Sequence, residues 1–333
     1  MSWTEGPFAG DADQDAMLAL LAEGNRDAPG VGYLHPGDVC WRIAQLRAND
    51  AAAIAAGGPV RDTPGEQIRL WRDADGAFGA FAWFLPSGEV EWQVVPALRG
   101  AGVLEPAILA WAEATHAAWP VAENGERGEL TLSAYDGDAA TCDYLTGLGW
   151  QRESTPAEDM LRFERDLTGA EIPPAPLPAP LPAPLPEGYT VREVRDGEEA
   201  ERVAVHRDVW APSRFTAETY RRVRAAPAYR PELDLAVVAP DGTFAAYCLV
   251  WWDPTSRTGE FEPVGTRAAF RGRGLGRAVV VEGQRRLQAL GARTAIVYTY
   301  EKSPAAVALY RSAGFPVVGR YVFYRRPVDR PSG

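Results

Sequence analysis

The stretch "FRGRGLGRAVV" (residues 270–280) places three glycines and three arginines within eight positions and then runs into apolar residues. Those apolar residues continue at helical spacing, which predicts a helix beginning near Leu275. Free backbone amides at the beginning of a helix, together with the positive end of the helix dipole, form a favourable site for a phosphate group. The stretch therefore predicts either an anion-binding loop or a tight turn decorated with arginines.

Two well-known phosphate-binding motifs do not fit this stretch. A Walker-type loop needs a lysine followed by serine or threonine, and the stretch has no lysine. The dinucleotide motif GxGxxG fails in both registers, because Arg277 or Val279 stands at the third glycine. What remains is a run from Arg271 to Gly276 between a predicted strand, "GEFEPVGT" (259–266), and the predicted helix.

A second stretch, "SPAAVALYRSAGF" (303–315), predicts a helix with Ser303 as its N-cap and Pro304 in the first turn. Together the two stretches resemble the signature motifs of the GNAT (GCN5-related) N-acetyltransferase family. The first is similar to the family's pyrophosphate loop, Gln/Arg-x-x-Gly-x-Gly/Ala. The second is similar to Asn-x-x-Ala-x-x-Leu-Tyr-x-x-x-Gly-Phe, with Ser303 in place of Asn. The resemblance covers about residues 189–326 and implies acetyl-CoA as co-substrate.

The resemblance also implies where acetyl-CoA binds. The loop is expected to hold the pyrophosphate, and the end of the preceding strand is expected to pair with the pantetheine arm through its backbone amides. Gly265 fits the second role, because a glycine in a strand allows a ligand to approach the backbone. The residues assigned to acetyl-CoA are Val264, Gly265, Thr266, Arg271, Gly272, Arg273, Gly274, Leu275, Gly276, Arg277 and Ser303.

Three residues are candidates for the chemistry of acetyl transfer, which needs a base for the amine proton and an acid for the CoA thiolate. The resemblance implies Tyr310 as the acid, because the family's tyrosine at this position lies near the CoA sulfur. Glu260 lies eleven residues before Arg271, a spacing similar to that of the catalytic glutamate in histone-type members. Glu262 shares its strand face. Either carboxylate can be the base, both can attract an ammonium group while a water is the base, or both can simply face solvent.

Aromatic residues near these positions are candidates for the acceptor pocket. Tyr298 and Tyr300 end the strand that precedes the second signature. Trp251 and Trp252 end an earlier strand, where strict alternation places one of them away from the core and towards a cleft.

The domain organisation follows from a proline-rich stretch, "IPPAPLPAPLPAPLP" (172–186), which favours extended polyproline II and predicts a linker. The segments on its two sides repeat one pattern of strand, glycine turn, helix, strand, helix and Gly-aromatic pair. We predict an α+β fold with two GNAT-like domains, each a mixed, mostly antiparallel sheet flanked by helices. The predicted parts are a degenerate domain at 1–170, the linker at 171–187 and a catalytic domain at 188–333.

The first domain is predicted to be degenerate because its copy of the loop, Arg99 to Leu104, ends in leucine instead of glycine. Counting back from the loops puts Gly88 where the second half has Glu260, and Leu145 where it has Tyr310. The expected role of this half is therefore structural, as a partner that packs on the catalytic domain and closes its acceptor pocket.

Composition limits the remaining possibilities. A net charge of −11 argues against a nucleic-acid partner. Three scattered cysteines and three histidines without metal-ligand spacing indicate neither a disulfide framework nor a metal site. The sequence shows neither a signal peptide nor an apolar run of about 18 residues, so we expect no membrane association and a cytoplasmic protein.

The function predicted from these features is transfer of acetyl from acetyl-CoA to a primary amine of a small molecule, by direct attack in a ternary complex. Cys248 lies outside the expected catalytic elements, so no thiol nucleophile suggests itself. Two alternatives stay open at this point: a peptide or protein N-acetyltransferase, and a non-catalytic CoA-binding sensor or scaffold.

Overall fold

A computed structural model describes residues 2–55, 63–120, 129–152, 158–172 and 185–326. Most of the predicted linker, residues 173–184, lies outside these ranges.

The described residues form strands and helices in alternating groups. The strands are β1 (Trp3–Pro7), β2 (Ile68–Asp73), β3 (Phe78–Phe84), β4 (Glu89–Val94), β5 (Thr131–Tyr135), β6 (Gln151–Arg152), β7 (Met160–Asp166), β8 (Thr190–Glu193), β9 (Asp234–Val238), β10 (Phe244–Asp253), β11 (Thr258–Thr266), β12 (Thr294–Tyr300) and β13 (Val317–Arg325). The α-helices are α1 (Asp11–Asp27), α2 (Pro36–Ala55), α3 (Pro64–Gln67), α4 (Glu105–Ala118), α5 (Ala139–Gly147), α6 (Glu199–Val209), α7 (Ala217–Arg224), α8 (Leu275–Ala289) and α9 (Pro304–Ser312).

The strands form one continuous sheet in the order β1-β2-β3-β4-β5-β13-β7-β12-β11-β10-β9-β8, with β6 beside β13. The pairs β4–β5 and β11–β12 are parallel, and the other pairs are antiparallel. This mixed sheet with helices on its faces confirms the predicted α+β class. Strands β1 to β5 of the first half and β8 to β12 of the second form the two sides of this sheet, and β13 and β7 lie between them at its centre.

The last strand of each half lies in the sheet of the other half. Strand β7 precedes the linker, yet it pairs along its length with β12, from Met160 opposite Tyr300 to Asp166 opposite Thr294. Strand β13 ends the second half, yet it pairs with β5 of the first half. Strand β7, and not β13, therefore lies beside β12 in the sheet of the second half. The domain boundaries at 170 and 188 stay a prediction, and the strand pairing crosses them.

Helix α2 of the first half packs against the second half. Trp41 stacks on Phe215 with ring centroids 5.4 Å apart, and Gly37 lies directly against the ring of Trp251. With α8 on one face of β10 and helices α2 and α6 on the other, every residue of β10 is buried. Apolar side chains on both faces of a strand are favoured when both faces are covered.

Candidate active site

The glycine loop begins α8 with an open, left-handed backbone. Gly272 has φ of 75° and Gly274 has φ of 76°, a conformation that residues with side chains rarely adopt. No atom outside the adjoining residues lies within 4 Å of where a Cβ would stand on either glycine. The loop therefore leaves backbone amides accessible at the positive end of a helix of 15 residues, the arrangement that suits a phosphate.

The loop arginines carry positive charge that no carboxylate of the described residues neutralises. Arg271 donates to the carbonyl of Thr266 (3.3 Å), and Arg277 donates to the carbonyl of Ser312 (2.7 Å). Arg273 donates to the hydroxyl of Tyr189 (3.1 Å). In a chain of net charge −11, this local excess of cations fits an anionic ligand.

Strands β11 and β12 diverge directly above the loop. They pair only from Thr258 to Glu260, so among the described residues the edge of β11 beyond Glu260 faces no strand on that side. The backbone of Val264 to Thr266 lies on this unpaired edge, and its role in binding acetyl-CoA stays a prediction. Gly265 has a different reason to be glycine. A Cβ there would lie 2.5 Å from Val209 Cγ1 of α6. The space that a side chain at this position would need is therefore occupied by Val209.

The wedge between these strands opens into a cavity of about 540 Å³ that both halves line. Five residues predicted for catalysis or acetyl-CoA binding meet in it: Glu260, Glu262, Val264, Ser303 and Tyr310. The opposite wall belongs to the first half and carries charged side chains, namely Asp38 and Arg42 of α2, Glu89 and Glu91 of β4, and Arg99.

Glu260 is fully buried, and the carboxyl of Asp38 is near enough to lower the pKa of Glu260 through a hydrogen bond. His35 of the first half lies beside it, with Nδ1 3.4 Å from Oε2. The backbone amide of Gly37 donates to that Nδ1 (3.0 Å), and Nε2 lies 3.1 Å from the carbonyl of Thr258. These partners fix a neutral imidazole with its proton on Nε2. Burial, followed by the charge of Glu262, raises the pKa of Glu260 to about 8.

Two further carboxyl groups share this environment. Burial, and then the charge of Asp38, raises the pKa of Glu262 to about 7. Burial and the charge of Glu260 raise the pKa of Asp38 well above its usual range. The guanidinium of Arg42, which forms an ion pair with Glu91, opposes both shifts. The result is a group of three carboxyls, contributed by both halves, whose pKa values are all raised.

Tyr310 projects from α9 into the same cavity and is 6% exposed. Its ring centroid lies 5.7 Å from that of Phe163 and 6.3 Å from that of Phe315. Burial, with a smaller contribution from Glu262, raises the pKa of the phenol well above its ordinary value. Tyr310 therefore keeps its proton at neutral pH. Phe163 belongs to β7, so the first half supplies part of this tyrosine's packing.

The remaining predicted positions differ in outcome. Ser303 stands at the N-cap of α9, but its side chain makes no capping hydrogen bond, contrary to the prediction. Tyr298 and Tyr300 both line the cavity. Trp251 and Trp252 are both buried, so neither faces a cleft; the prediction failed because α2 of the first half covers Trp251.

Strand register corrects the comparison between the two halves. Strand β11 has a bulge opposite β10, between the pairs Cys248–Val264 and Val250–Phe261. The pairing of β3 with β4 has no such irregularity. Strand β4 and the turn after it therefore have one residue fewer than the corresponding part of the second half. The residues that match Glu260 and Glu262 are Glu89 and Glu91. The expectation that Gly88 replaces Glu260 is wrong, because counting back from the loop skips the bulge.

Comparison with known proteins is consistent with this geometry. Residues 200–315 match the acetyltransferase (GNAT) family. A mycothiol acetyltransferase from Kineococcus radiotolerans is 31% identical over 324 residues, which cover 93% of this chain and 91% of the relative. The chain belongs to the GNAT family. It is an acetyl-CoA-dependent acetyltransferase, and the family resemblance inferred from its two signature stretches is confirmed.

Other relatives extend the GNAT assignment to the whole chain. A mycothiol acetyltransferase from Thermobispora bispora is 29% identical, over 94% of this chain and 96% of the relative. Among solved structures, a tandem GNAT protein from the clavulanic acid biosynthesis pathway superposes with a TM-score of 0.61 at 16% identity, covering 98% of this chain and 100% of that one. A GCN5-related N-acetyltransferase from Sphaerobacter thermophilus gives 0.57 at 23% identity, with 98% of each chain covered. These two structures share the tandem fold.

The sequence did not indicate the GNAT site residues that come from the first half. Asp38 and Arg42 line the cavity, and His35 lies beside Glu260, only because α2 packs on the second half, a contact between residues far apart in sequence. The repeated pattern Gly-Glu-x-Glu at 88–91 and 259–262 was the one available signal, and it pointed to Glu89 and Glu91.

No helix in the described part of the chain combines the length and the apolar character that crossing a membrane requires. Nor do the described residues contain a group of three or more His, Cys, Asp or Glu side chains arranged to hold a metal ion.

Proposed function

We propose that the protein transfers acetyl from acetyl-CoA to a primary amine of a small molecule, by direct attack in a ternary complex. The observation that carries the proposal is Glu260. It is a fully buried carboxyl group, it lines a cavity shared with Tyr310, and its pKa is raised to about 8. A group with these properties is suited to accept a proton near neutral pH.

In this proposal the residues of the second half perform the chemistry. Acetyl-CoA supplies an activated thioester, held by the loop from Arg271 to Arg277 and by the free edge of β11. Glu260 takes a proton from the acceptor's amine, whose nitrogen then forms the new bond to the carbonyl carbon. As the carbon–sulfur bond breaks, Tyr310 gives its proton to the departing thiolate. Glu262 holds negative charge beside the amine.

Direct attack is supported by the positions of the thiols. Cys248 is completely buried and does not line the cavity. Burial raises the pKa of its thiol well above the ordinary value, so the thiolate that a covalent mechanism needs is disfavoured.

The cavity favours a small, positively charged acceptor. Five carboxyl groups line it, against the guanidinium groups of Arg42 and Arg99. Both arginines are already paired, Arg42 with Glu91 and Arg99 with Asp138. A volume of about 540 Å³ is typical of sites for small molecules. We assign the catalytic role to residues 188–333, and to residues 1–170 the role of forming the opposite wall.

The relatives named mycothiol acetyltransferase make the free-amine form of mycothiol the first acceptor to assay. The experiment measures release of CoA thiol with a panel of this amine, simple primary amines and lysine-containing peptides. We expect amine-dependent release with small acceptors, lowered by about 10²-fold or more in Glu260→Gln and unchanged in Glu23→Gln, which alters an exposed glutamate of α1. Turnover with peptides alone would replace this proposal by peptide acetylation.

A further inference from the structure

Trp210 directly follows α6 and lines the cavity that contains Glu260 and Tyr310. It is 50% exposed, more than any other large apolar side chain in the described part of the chain. It has no part in the proposed proton transfers. Covering an indole removes a large apolar area from water, so an exposed tryptophan inside a cavity is a favourable contact surface for a ligand.

The polar edge of this indole is already occupied. Trp210 Nε1 donates to the hydroxyl of Tyr247 (2.7 Å), and the same hydroxyl pairs with Nδ1 of His206 (2.8 Å). Tyr247 is fully buried and His206 is buried, so these partners hold the indole in one orientation. An indole has a single polar donor. Trp210 can therefore contact a ligand only through its apolar faces.

Trp210 lies at the catalytic end of the cavity. Burial raises the pKa values of Tyr247 and Tyr310, and the charge of Glu262 adds to both shifts. Both hydroxyls are thus within electrostatic reach of one carboxyl group. Trp210, through its bond to Tyr247, is therefore placed beside the groups that we assign to acetyl transfer.

This end of the cavity also contains a buried positive charge. The guanidinium of Arg202 is fully buried and lies 4.1 Å from the centre of the Tyr247 ring. Arg202 donates to Asp234 (2.9 Å), yet its charge, after burial, lowers the pKa of His206 to about 3. On Tyr247 the effect of Arg202 exceeds that of Glu262. A cation beside Trp210 is thereby disfavoured, and a neutral group is favoured.

We infer that Trp210 determines acceptor specificity, because a neutral ring of the acceptor stacks on its exposed indole face. This inference rests on the proposed function, in which the acceptor places its amine at Glu260. A ring covers a flat indole more completely than an open chain with the same number of carbons, and it loses less conformational freedom in doing so. The acceptor class is therefore a primary amine attached to a neutral ring.

The test compares three primary amines with seven carbons each: benzylamine, cyclohexylmethylamine and n-heptylamine. For each protein we measure kcat/KM and take the ratio of each ring amine to the open-chain amine. We expect Trp210→Leu, which lacks a flat face, to lower this ratio by roughly tenfold. Trp210→Phe retains a flat face and should keep most of the ratio. Leu148→Ala, which alters an exposed apolar residue outside the cavity lining, serves as the control.

The possible outcomes separate this inference from the proposed function. An unchanged ratio in Trp210→Leu would overturn the inference and leave acetyl transfer unaffected. A higher Kd of acetyl-CoA in Trp210→Leu with an unchanged ratio would assign the indole face to acetyl-CoA. Binding of the same amines to the CoA-saturated protein, measured by calorimetry, gives the ratio independently of turnover. Ring-selective binding that depends on Trp210, without CoA release, would support the ring site and contradict the proposed acetyl transfer.

Discussion

Burial raises the pKa values of both Glu260 and Tyr310, but it suits the two residues to opposite roles, one as a base and the other as an acid. The carboxyl of Glu260 moves up to about 8, where it can release and accept a proton under physiological conditions. The phenol of Tyr310 moves further from neutrality and stays protonated. Burial in one cavity thereby prepares a base and an acid at the same time.

The dependence of activity on pH follows from these values. A base must be deprotonated to act, so kcat/KM for the amine is expected to rise with pH and to level off above about pH 8. Glu260→Gln should lower kcat/KM by about 10²-fold or more and remove this rise, as measured in a pH series of CoA release. A rise of wild-type shape in Glu260→Gln would assign the proton transfer to another group.

The same carboxyl group also affects stability. Between its ordinary pKa of 4.5 and about 8, Glu260 binds more protons in the folded than in the unfolded state. The free energy of unfolding therefore falls as pH rises through this window. Glu260→Gln has no carboxyl group to ionise, so its free energy of unfolding does not fall in this way. Its Tm should therefore exceed that of wild type at pH 9 by a few degrees and match it near pH 4.5. Equal Tm values at pH 9, by differential scanning calorimetry, would mean that Glu260 is solvated.

Tyr310 can be tested apart from binding. Tyr310→Phe keeps the ring between Phe163 and Phe315 and removes only the proton donor. We expect kcat to fall by roughly 10²-fold with little change in the Kd of acetyl-CoA, measured by calorimetry. Wild-type turnover at every pH would remove Tyr310 from the mechanism.

At the scale of elements, the divergence of β11 from β12 and the loop before α8 form one continuous surface. Gly276 lies where the two meet. A Cβ added there would lie 3.0 Å from the hydroxyl of Thr266 at the end of β11. The corresponding element in the first half has Leu104 at this position, buried within its own core. The size of the side chain at this position therefore distinguishes the accessible loop of the second half from the filled loop of the first.

Gly276→Leu, which copies Leu104, is therefore expected to abolish acetyl-CoA binding in the second half. Gly276→Ala should weaken it less, because a single methyl group meets only Thr266 and the tip of Leu309. Titration calorimetry of both variants gives the comparison. Unchanged affinity in Gly276→Leu would mean that the pyrophosphate binds elsewhere.

Local motifs made the second half's elements predictable, and distant contacts limited what sequence could show. The glycine loop and the helices after it are encoded within a few residues, so their type and place followed from spacing. The partner of β13 is β5, whose residues lie nearly 190 positions earlier in the chain. Likewise Glu260 was found through its distance from Arg271, whereas nothing near His35 or Asp38 signals a cavity formed across the two halves.

At the scale of the whole molecule, the exchanged strands make the two halves depend on each other. Val322 and Tyr324 of β13 belong to the apolar core of the first half, beside Trp92 and Leu132. Phe163 of β7 belongs to the core of the second. Neither core is complete without residues from the other side of the linker.

A chain ending at residue 316, which lacks β13, should therefore lose order in the first half as well as the second. We expect a broad or missing thermal transition by near-ultraviolet circular dichroism, where the first half's tryptophans contribute. A chain ending at residue 326 retains β13 and serves as the control. A sharp, wild-type transition in the shorter chain would contradict the mutual dependence of the two halves.

The exchanged strands also bear on synthesis by the ribosome. Strand β7 leaves the exit tunnel well over a hundred residues before β12, an interval of roughly ten seconds at ordinary elongation rates. During that time the edges of β5 and β7 lack their final partners, and neighbouring nascent chains on the same messenger RNA present identical edges. Unpaired strand edges are templates for association between chains. We therefore expect elongation speed and the spacing of ribosomes to affect how often β5 and β7 pair within one chain rather than between chains.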